Sequence, residues 1–406
     1  MRVLFTSPII EHPAAGGPEL KVENGIKALS HVCELDIISR STALNNELGD
    51  AAQFFRNYCT EFHVVPRLKK KRIKHRYIRV LKAVLYKIFS IECAEDARYI
   101  IDHIDRRNID ILWFGYGNIS FPLIKKIKSM RPDLKVVCDT DSVWSRFVLR
   151  ELPYTKGVRK LKIFLLGKKK EKEEQAWVNL CEATTAVSEV DAEYYRNIAF
   201  NKKRIHIFSN VIDIDSYKIS SPAPDNFKKP SIYLAGSFGH YNSAMDTATR
   251  WVLTEILPLV KKAVPEVHFY IIGRNSDVGF GKLDDPTITV TGKVESVLPY
   301  LYNTDVALVP LKFESGTRFK ILEAGVCRIP LVSTELGAEG ISVEDGKHIL
   351  IADEPEAFAN AIIRLLSDRT LAAELAENCY QLVHERYSVE SLSVEIKKIL
   401  EYLKSD

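Results

Sequence analysis

The densest chemistry in the sequence lies in Phe313-Glu314-Ser315-Gly316-Thr317-Arg318-Phe319-Lys320-Ile321-Leu322-Glu323-Ala324-Gly325. This segment follows an apolar run ending in Pro310, and its pattern predicts a strand, a turn and a helix over about 316–327. The first N–H groups of a helix have no internal acceptor, and the helix dipole favours an anion there. Gly316 and Thr317 would offer such amides, and Arg318 and Lys320 would add full positive charge. Two cations in a first turn oppose the dipole unless an anion is bound. The plainer alternative is a pair of surface cations on an ordinary helix. Glu323 falls about two turns after Gly316, on the same face, where a carboxylate can accept two ribose hydroxyls. Taken alone, it reads as a solvated helix residue.

A second group of carboxylates ends a predicted strand at Val136-Val137-Cys138-Asp139-Thr140-Asp141-Ser142. Asp-x-Asp invites a metal, but two carboxylates supply too few ligands for a closed Mg²⁺ or Mn²⁺ cage. Asp139 is read more simply as a cap for the loop that follows. His12 stands near Gly16-Gly17 in the first loop, and a lone loop histidine is more often incidental.

The elements that must position these residues form two α/β halves. In the first, strands at Arg2–Ser7, Cys33–Ile38, Ile109–Gly115, Lys135–Asp139 and Ala183–Val187 alternate with helices near 19–30, 93–107, 119–130, 158–180 and 189–197. The second half restarts after the linker Ser220-Ser221-Pro222-Ala223-Pro224. Its predicted strands are Ser231–Ala235, Val267–Ile272, Ile288–Thr291, Asp305–Pro310, Pro330–Ser333 and His348–Ile351. Helices are expected at 243–264, near 294–302, at 316–327, 354–367 and 369–385, with a last one over 388–404. Such alternation argues two doubly wound parallel sheets, whose ligands sit beyond the carboxyl ends of the strands. The expected division is an N-terminal domain 1–213 with a basic insertion about 66–90, a linker 214–230, a C-terminal domain 231–386, and a helix 387–406 crossing back to the first domain.

A length of 406 residues suits two domains of roughly 150–200 residues each. With 46% hydrophobic and 27% charged residues, the chain is neither low-complexity nor disordered. No apolar run reaches the ~18 residues of a spanning helix. The opening Met-Arg-Val-Leu-Phe-Thr-Ser-Pro reads as a strand, not a signal peptide. Seven scattered cysteines without a CxxC argue against a disulfide framework or zinc site, and a reducing cytoplasm is expected.

Charge is uneven. Residues 1–205 carry 37 Lys+Arg against 25 Asp+Glu, and residues 206–406 carry 20 against 28. Residues 67–87 and 156–172 supply most of the excess. In the first stretch Ile73, Tyr77, Val80, Val84 and Ile88 recur at helical steps, as in a basic amphipathic helix, and an anionic membrane surface is the partner expected for both 67–87 and 156–172. A solvated helix packed on its own domain is the alternative. Nucleic acid is not expected as a partner, because neither stretch shows an aromatic platform or a known binding module.

Val309 through Gly340 resembles the donor-binding core of the family 4 (group 1) glycosyltransferases, in the branch with a Gly-Thr-Arg-x-Lys-x-x-Glu-Ala donor loop. The resemblance extends to Gly16-Gly17, Ala186-Val187-Ser188, Ser209-Asn210-Val211-Ile212-Asp213, Gly236-Ser237-Phe238, Ile271-Ile272-Gly273 and Thr291-Gly292-Lys293-Val294, in the family's order. It implies the GT-B fold, two Rossmann-like domains facing a cleft. It also implies a retaining, metal-independent transfer from a nucleotide-diphosphate sugar to a glycan, with no other cofactor. By that resemblance Gly16, Gly17, Gly236 and Ser237 lie near the donor phosphates, and Gly273 and Val294 near the base.

The resemblance gives Glu323 the ribose, while Arg318, Lys320 and the Gly316 and Thr317 amides hold the leaving diphosphate. It places Asp141 toward the acceptor, where it would orient or deprotonate a hydroxyl. The Asp-x-Asp metal site of GT-A enzymes does not suit a chain that repeats the α/β pattern twice.

Two departures stand out. The family's first glutamate is replaced by Ser315, with Glu314 one residue earlier, and the Arg and Lys usual after the Gly236 loop are replaced by His240-Tyr241-Asn242-Ser243. Arg318 and Lys320 would supply that charge from the opposite wall. His12 is the nearest polar substitute for a histidine some members carry after the fourth strand, where this chain reads Phe114-Gly115-Tyr116-Gly117-Asn118.

The expected acceptor is a lipid-linked or cell-surface polysaccharide or lipopolysaccharide precursor. The expected location is cytoplasmic, peripheral on the cytoplasmic face of the inner membrane. A GT-B nucleotide-sugar 2-epimerase and a non-catalytic two-lobed sugar-binding protein are the alternatives.

Overall fold

The computed structural model describes residues 1–14, 16–41, 49–66, 91–218, 221–239, 243–281, 283–314 and 316–405. Two parallel sheets dominate it. The first runs β3-β2-β1-β4-β5-β6-β7, formed by Glu61–Val64, Glu34–Ser39, Arg2–Ser7, Ile111–Phe114, Lys135–Cys138, Ala183–Ala186 and Ile205–Ile207. The second runs β10-β9-β8-β11-β12-β13, formed by Ile288–Val290, His268–Ile272, Ser231–Ala235, Val306–Val309, Leu331–Ser333 and Leu350–Ile351. In each sheet the order reverses beside the first strand, so β1 pairs with both β2 and β4, and β8 with both β9 and β11. A crevice opens at such a reversal, beyond the strand ends.

Helices cover both faces, so the central strands are mostly apolar and Val3, Leu4, Ile111, Leu112, Ile232 and Leu234 are all buried. Strands Glu61–Val64 and Ile205–Ile207 and the helix Asp50–Arg56 are absent from the sequence reading. Glu61-Phe62-His63-Val64 has only two apolar residues, and as an edge strand it buries only Phe62. The expected helix over 243–264 is interrupted by a π turn at Val252–Ile256, just before Pro258. Pro258 cannot donate to the helical ladder.

The connector after the first sheet is itself ordered over Ile214–Tyr217, and further on Phe227 stacks on Tyr270 at 4.5 Å. The final helix, Val389–Ser405, packs its Leu392, Ile396, Ile399 and Leu403 into the first domain's core beside Val3, Phe5 and Ile26. Glu395 on that helix accepts hydrogen bonds from the Ser209 N–H and Oγ, each at 2.8 Å.

Candidate functional site

The turn between β11 and the helix Phe319–Val326 lies where the two domains meet. Gly316 has φ +84°, and a Cβ there would stand 2.8 Å from the Asp141 carbonyl oxygen and 3.1 Å from Ser142 Cβ. Only glycine combines that φ with so close an approach. Gly340, at φ +83°, is wedged in the same way between Ser188 and Thr317, 2.9 Å from a carbon of each. The helix opens later than its sequence suggests. Gly316 is left-handed and Arg318 is extended (φ −101°, ψ 106°), so the first helical residue is Phe319. Gly316 and Thr317 therefore belong to the turn, Arg318 occupies the N-cap position, and only Lys320 lies within the first turn. Ser315 and His240–Asn242 lie outside the described residues.

Arg318 and Lys320 diverge from this start. Arg318 is buried; Nη1 donates to the Gly316 carbonyl and Nε lies 3.4 Å from Glu314 Oε2. Its Nε and Nη2 still have no hydrogen-bond partner, and neither do the buried Glu314 Oε2, Thr317 Oγ1 and Asn210 Oδ1 around the same turn. Lys320 leans the other way: a Cβ on Gly236 would stand 3.3 Å from Lys320 Cε. Gly273, at φ +124°, sits against Gly236 so tightly that a Cβ would reach within 1.9 Å of the Gly236 oxygen. Lys320, Gly236 and Gly273 thus converge at the carboxyl ends of β8 and β9. Ser237 is exposed in the same loop, and Val294 is half-buried against the second domain's core.

Glu323 receives a hydrogen bond from the Tyr217 hydroxyl at 3.0 Å. Burial pushes its carboxyl above the usual range, against the pull of Tyr217 and Lys320. Tyr217 comes from the interdomain connector, and no motif marks it in the sequence.

Gly17 faces this turn from the first domain, where a Cβ would stand 3.2 Å from Phe319 Cδ2. Gly16 is extended at φ −176° and precedes the helix Gly17–Ser30. One turn in, the buried Lys21 places Nζ 3.0 Å from Asp139 Oδ1 and 4.7 Å from the Phe208 ring centroid. Asp139 also accepts from Thr185 Oγ1 at 2.8 Å, so its carboxylate is held within the first domain. Asp141 Oδ1 accepts from Asn118 Nδ2 at 2.8 Å and Trp144 Nε1 at 3.0 Å. Burial raises the Asp141 carboxyl, and these two donors and Lys21 oppose that rise. His12 stacks on Phe54 with centroids 3.5 Å apart and pairs with Glu23 at 2.9 Å. Glu23 in turn holds Lys27, which also bonds Asp213 at 2.8 Å.

A clamp closes one side of the turn. Arg150, at the end of the helix Trp144–Leu149, bonds both Glu339 oxygens at 2.7 Å and the Glu314 carbonyl at 2.7 Å. Arg150 pulls the Glu339 carboxyl below its usual range, overcoming the effect of burial. Tyr154 adds a hydroxyl donated to the Lys312 carbonyl at 3.2 Å and a ring 5.0 Å from Phe313.

Residues 67–87 lie outside the described residues, whereas 156–172 fall at the start of the helix Gly157–Leu180. Among the described residues, Glu61, His63 and His103 bring metal-ligand atoms within 4.8 Å of one another. Those atoms are already engaged: His103 pairs with Asp36 at 2.9 Å and Arg106 at 3.0 Å, and Glu61 with His63 at 3.0 Å.

Residues 229–368 match the sequence model of the family described as Glycosyl transferases group 1. An uncharacterized 44.6 kDa protein in the cps region of Klebsiella pneumoniae is 25% identical over 158 residues, which are 36% of this chain and 40% of that protein's length. Among solved structures, the chain is similar to Anabaena Alr3699/HepE in complex with UDP and glucose (TM-score 0.62, 14% identity, 99% of each chain). It is also similar to sucrose-phosphate synthase from Thermosynechococcus elongatus (TM-score 0.68, 16% identity, 100% of each chain). A third is a TarM variant of S. aureus in complex with fondaparinux, alpha-GlcNAc-glycerol and UDP (TM-score 0.68, 14% identity, 98% of this chain and 99% of that one). These likenesses establish the fold: two Rossmann-like domains in the GT-B arrangement.

Proposed function

We propose that the chain is a retaining glycosyltransferase of family 4 that moves a sugar from a nucleotide-diphosphate sugar to a lipid-linked or cell-surface glycan precursor, without a metal. One observation carries the reading. Buried polar atoms without hydrogen-bond partners gather on the Gly316 turn: Glu314 Oε2, Thr317 Oγ1, Asn210 Oδ1, and Nε and Nη2 of Arg318. An unpaired buried donor costs about 1–3 kcal/mol, and a charged one more. The Arg318 donors suit phosphate oxygens and the Glu314 and Asn210 acceptors suit hydroxyls, so the set fits a ligand that carries both, as a sugar diphosphate does.

On this reading the donor's diphosphate lies between Arg318 on one side and Lys320 with the Gly236 loop on the other. As the nucleotide diphosphate leaves, negative charge grows on its β-phosphate oxygen while the sugar becomes oxocarbenium-like. Fixed cations and amides stabilise that charge without reorganising. Glu323, steadied by Tyr217, holds the ribose, and backbone groups near Gly273 and Val294 hold the base. Gly16 and Gly17 close over the phosphates from the first domain. Glu314 lines the sugar end, in the role of the family's first glutamate. Asp141 orients the acceptor hydroxyl. Closure around Gly316 excludes water that would otherwise hydrolyse the donor.

Similarity to a cps-region protein supports a role in polysaccharide assembly, and with it a cytoplasmic enzyme working at the membrane face, where lipid-linked acceptors would be held. A panel of UDP-, GDP-, ADP- and dTDP-sugars tests the reading. At least one should raise the melting temperature and release its nucleotide diphosphate in the presence of an acceptor glycan. Stabilisation without release would favour the sugar-binding alternative, and a changed sugar with the nucleotide still attached the epimerase.

A further inference from the structure

The helix Gly157–Leu180 packs on the first domain through Ile163, Gly167, Glu174, Trp177 and Val178. Gly167 sits so close to the helix Trp144–Leu149 that a Cβ would stand 2.3 Å from Leu149 Cδ2. The opposite side of its first half is uncovered. Fourteen large apolar side chains are exposed among the described residues, and five of them, Val158, Leu161, Phe164, Leu165 and Leu166, fall within nine residues here. Val158 (72% exposed), Leu161 (59%) and Leu165 (58%) recur at i, i+3 and i+7, a stripe along one face. A concentration of exposed apolar surface marks an interaction site, whereas scattered single residues do not.

Charge identifies the partner. Lys156, Lys160, Lys162 and Lys172 surround the stripe and have no carboxylate partner among the described residues. Arg159 and Lys168 are paired with Glu151 and Glu171. The helix opens without a side-chain cap and without an acidic residue in its first turn, so its positive dipole end adds to the lysines. Two copies of this face would oppose like charges, which disfavours self-association. A phospholipid surface with anionic headgroups meets both demands, taking the leucines into the acyl boundary and the lysines against phosphate.

We infer that the amino-terminal half of the helix Gly157–Leu180 is a docking face for an anionic bilayer, with Leu161 and Leu165 inserted and Lys160 and Lys162 on headgroups. The inference rests on the proposed lipid-linked acceptor for its purpose and on the exposed stripe for its argument. It also joins membrane to cleft. Lys170 Nζ lies 5.4 Å over the Trp144 ring, and Trp144 donates to Asp141. The docking residues come one to three turns earlier on the same helix, about 6–18 Å along its axis.

Flotation of the full chain with vesicles of phosphatidylcholine, alone or mixed with phosphatidylglycerol, tests this. Wild-type protein should float with the mixed vesicles at least about tenfold better than with phosphatidylcholine alone, and added salt should release it. L161E/L165E should lose about tenfold or more of that binding, and K160E/K162E should lose binding to mixed vesicles only. Both variants should keep the thermal stabilisation given by the nucleotide, because no donor contact is altered. That readout separates failure of the docking face from failure of the glycosyltransferase reading. The inference is overturned if L161E/L165E floats as the wild type does, or if the wild type ignores anionic vesicles. A wild-type dimer that L161E/L165E converts to monomer would equally overturn it.

Discussion

Gly316 of the second domain meets Asp141 of the first backbone to backbone, with room for no side chain between them: a Cβ would stand 2.8 Å from the Asp141 oxygen. A left-handed backbone costs an L-residue about 1–2 kcal/mol, and here the clash with another domain's main chain is added. Gly316→Ala should therefore push the lobes apart. We expect donor turnover to fall at least tenfold, while the melting temperature drops by only a few degrees. Steady-state kinetics beside a thermal melt would check it, and wild-type turnover would show that the contact does not matter to the reaction.

Arg318 and Lys320 flank the proposed diphosphate from different sides, so their removals should differ in more than size. Arg318→Ala and Lys320→Ala should each lower kcat by about 10²–10³, the effect of deleting one charge-stabilising donor. Arg318→Ala should also lower stability without ligand, because it strips the Glu314 carboxylate of the cation 3.4 Å away. Lys320→Ala, whose stem leans on Gly236, should not. Near-normal rates in both variants would remove the leaving-group role.

Much of this was legible because strands and donor loop speak through local pattern. The central strands Ile111–Phe114 and Val306–Val309 are unbroken apolar runs, and Gly-Thr-Arg-x-Lys is a chemically distinctive string. What stayed hidden depends on partners far away in sequence. Lys21 reads as a solvated helix lysine until Asp139 and Phe208 are brought to it. Arg150 finds Glu339 only after both domains have folded. The late start of the helix at Phe319 was hidden too, since a left-handed Gly316 and an extended Arg318 are set by the neighbouring domain and not by helix propensity.

Glu323 accepts from Tyr217, and that bond lowers a carboxyl which burial raises. If Glu323 holds the ribose, Glu323→Ala should raise the donor KM by about 10–100-fold with less change in kcat, as loss of uniform binding does. Tyr217→Phe should act through pH. Without the phenol, the Glu323 carboxyl titrates higher and loses its acceptor capacity sooner as pH falls. The variant's donor KM should therefore approach wild type at high pH and exceed it increasingly as pH falls. A KM ratio that does not vary with pH would show that Tyr217 only packs.

Arg150 joins Glu339 through two bonds and the Glu314 carbonyl through a third, and a lysine cannot reproduce that fork. Arg150→Ala should lower kcat/KM for the full transfer by about tenfold or more, the size of one or two charge-assisted hydrogen bonds. Affinity for the free nucleotide diphosphate should change much less, because Arg150 reaches Glu314 at the sugar end and none of the proposed diphosphate, ribose or base contacts. Arg150→Lys should recover only part of the loss. Titration calorimetry with the nucleotide, set beside the kinetics, would expose a purely structural role as an equal loss in both.

Asp191 is a buried carboxylate outside the proposed site whose environment resists its charge. Its Oδ2 has no hydrogen-bond partner, Arg146 comes only to 3.6 Å, and burial lifts its pKa from 3.8 to about 6, with Arg146 opposing. A folded pKa above the unfolded one means that stability is lost as pH rises from about 4 through about 6. The full penalty, up to about 3 kcal/mol, is present at neutral pH. Asp191→Asn cannot ionise and escapes it. Urea unfolding should give the two proteins a stability difference that moves in the variant's favour by up to that amount between pH 4 and pH 7. A difference that stays constant over this range would mean that Asp191 ionises in the fold as easily as in water.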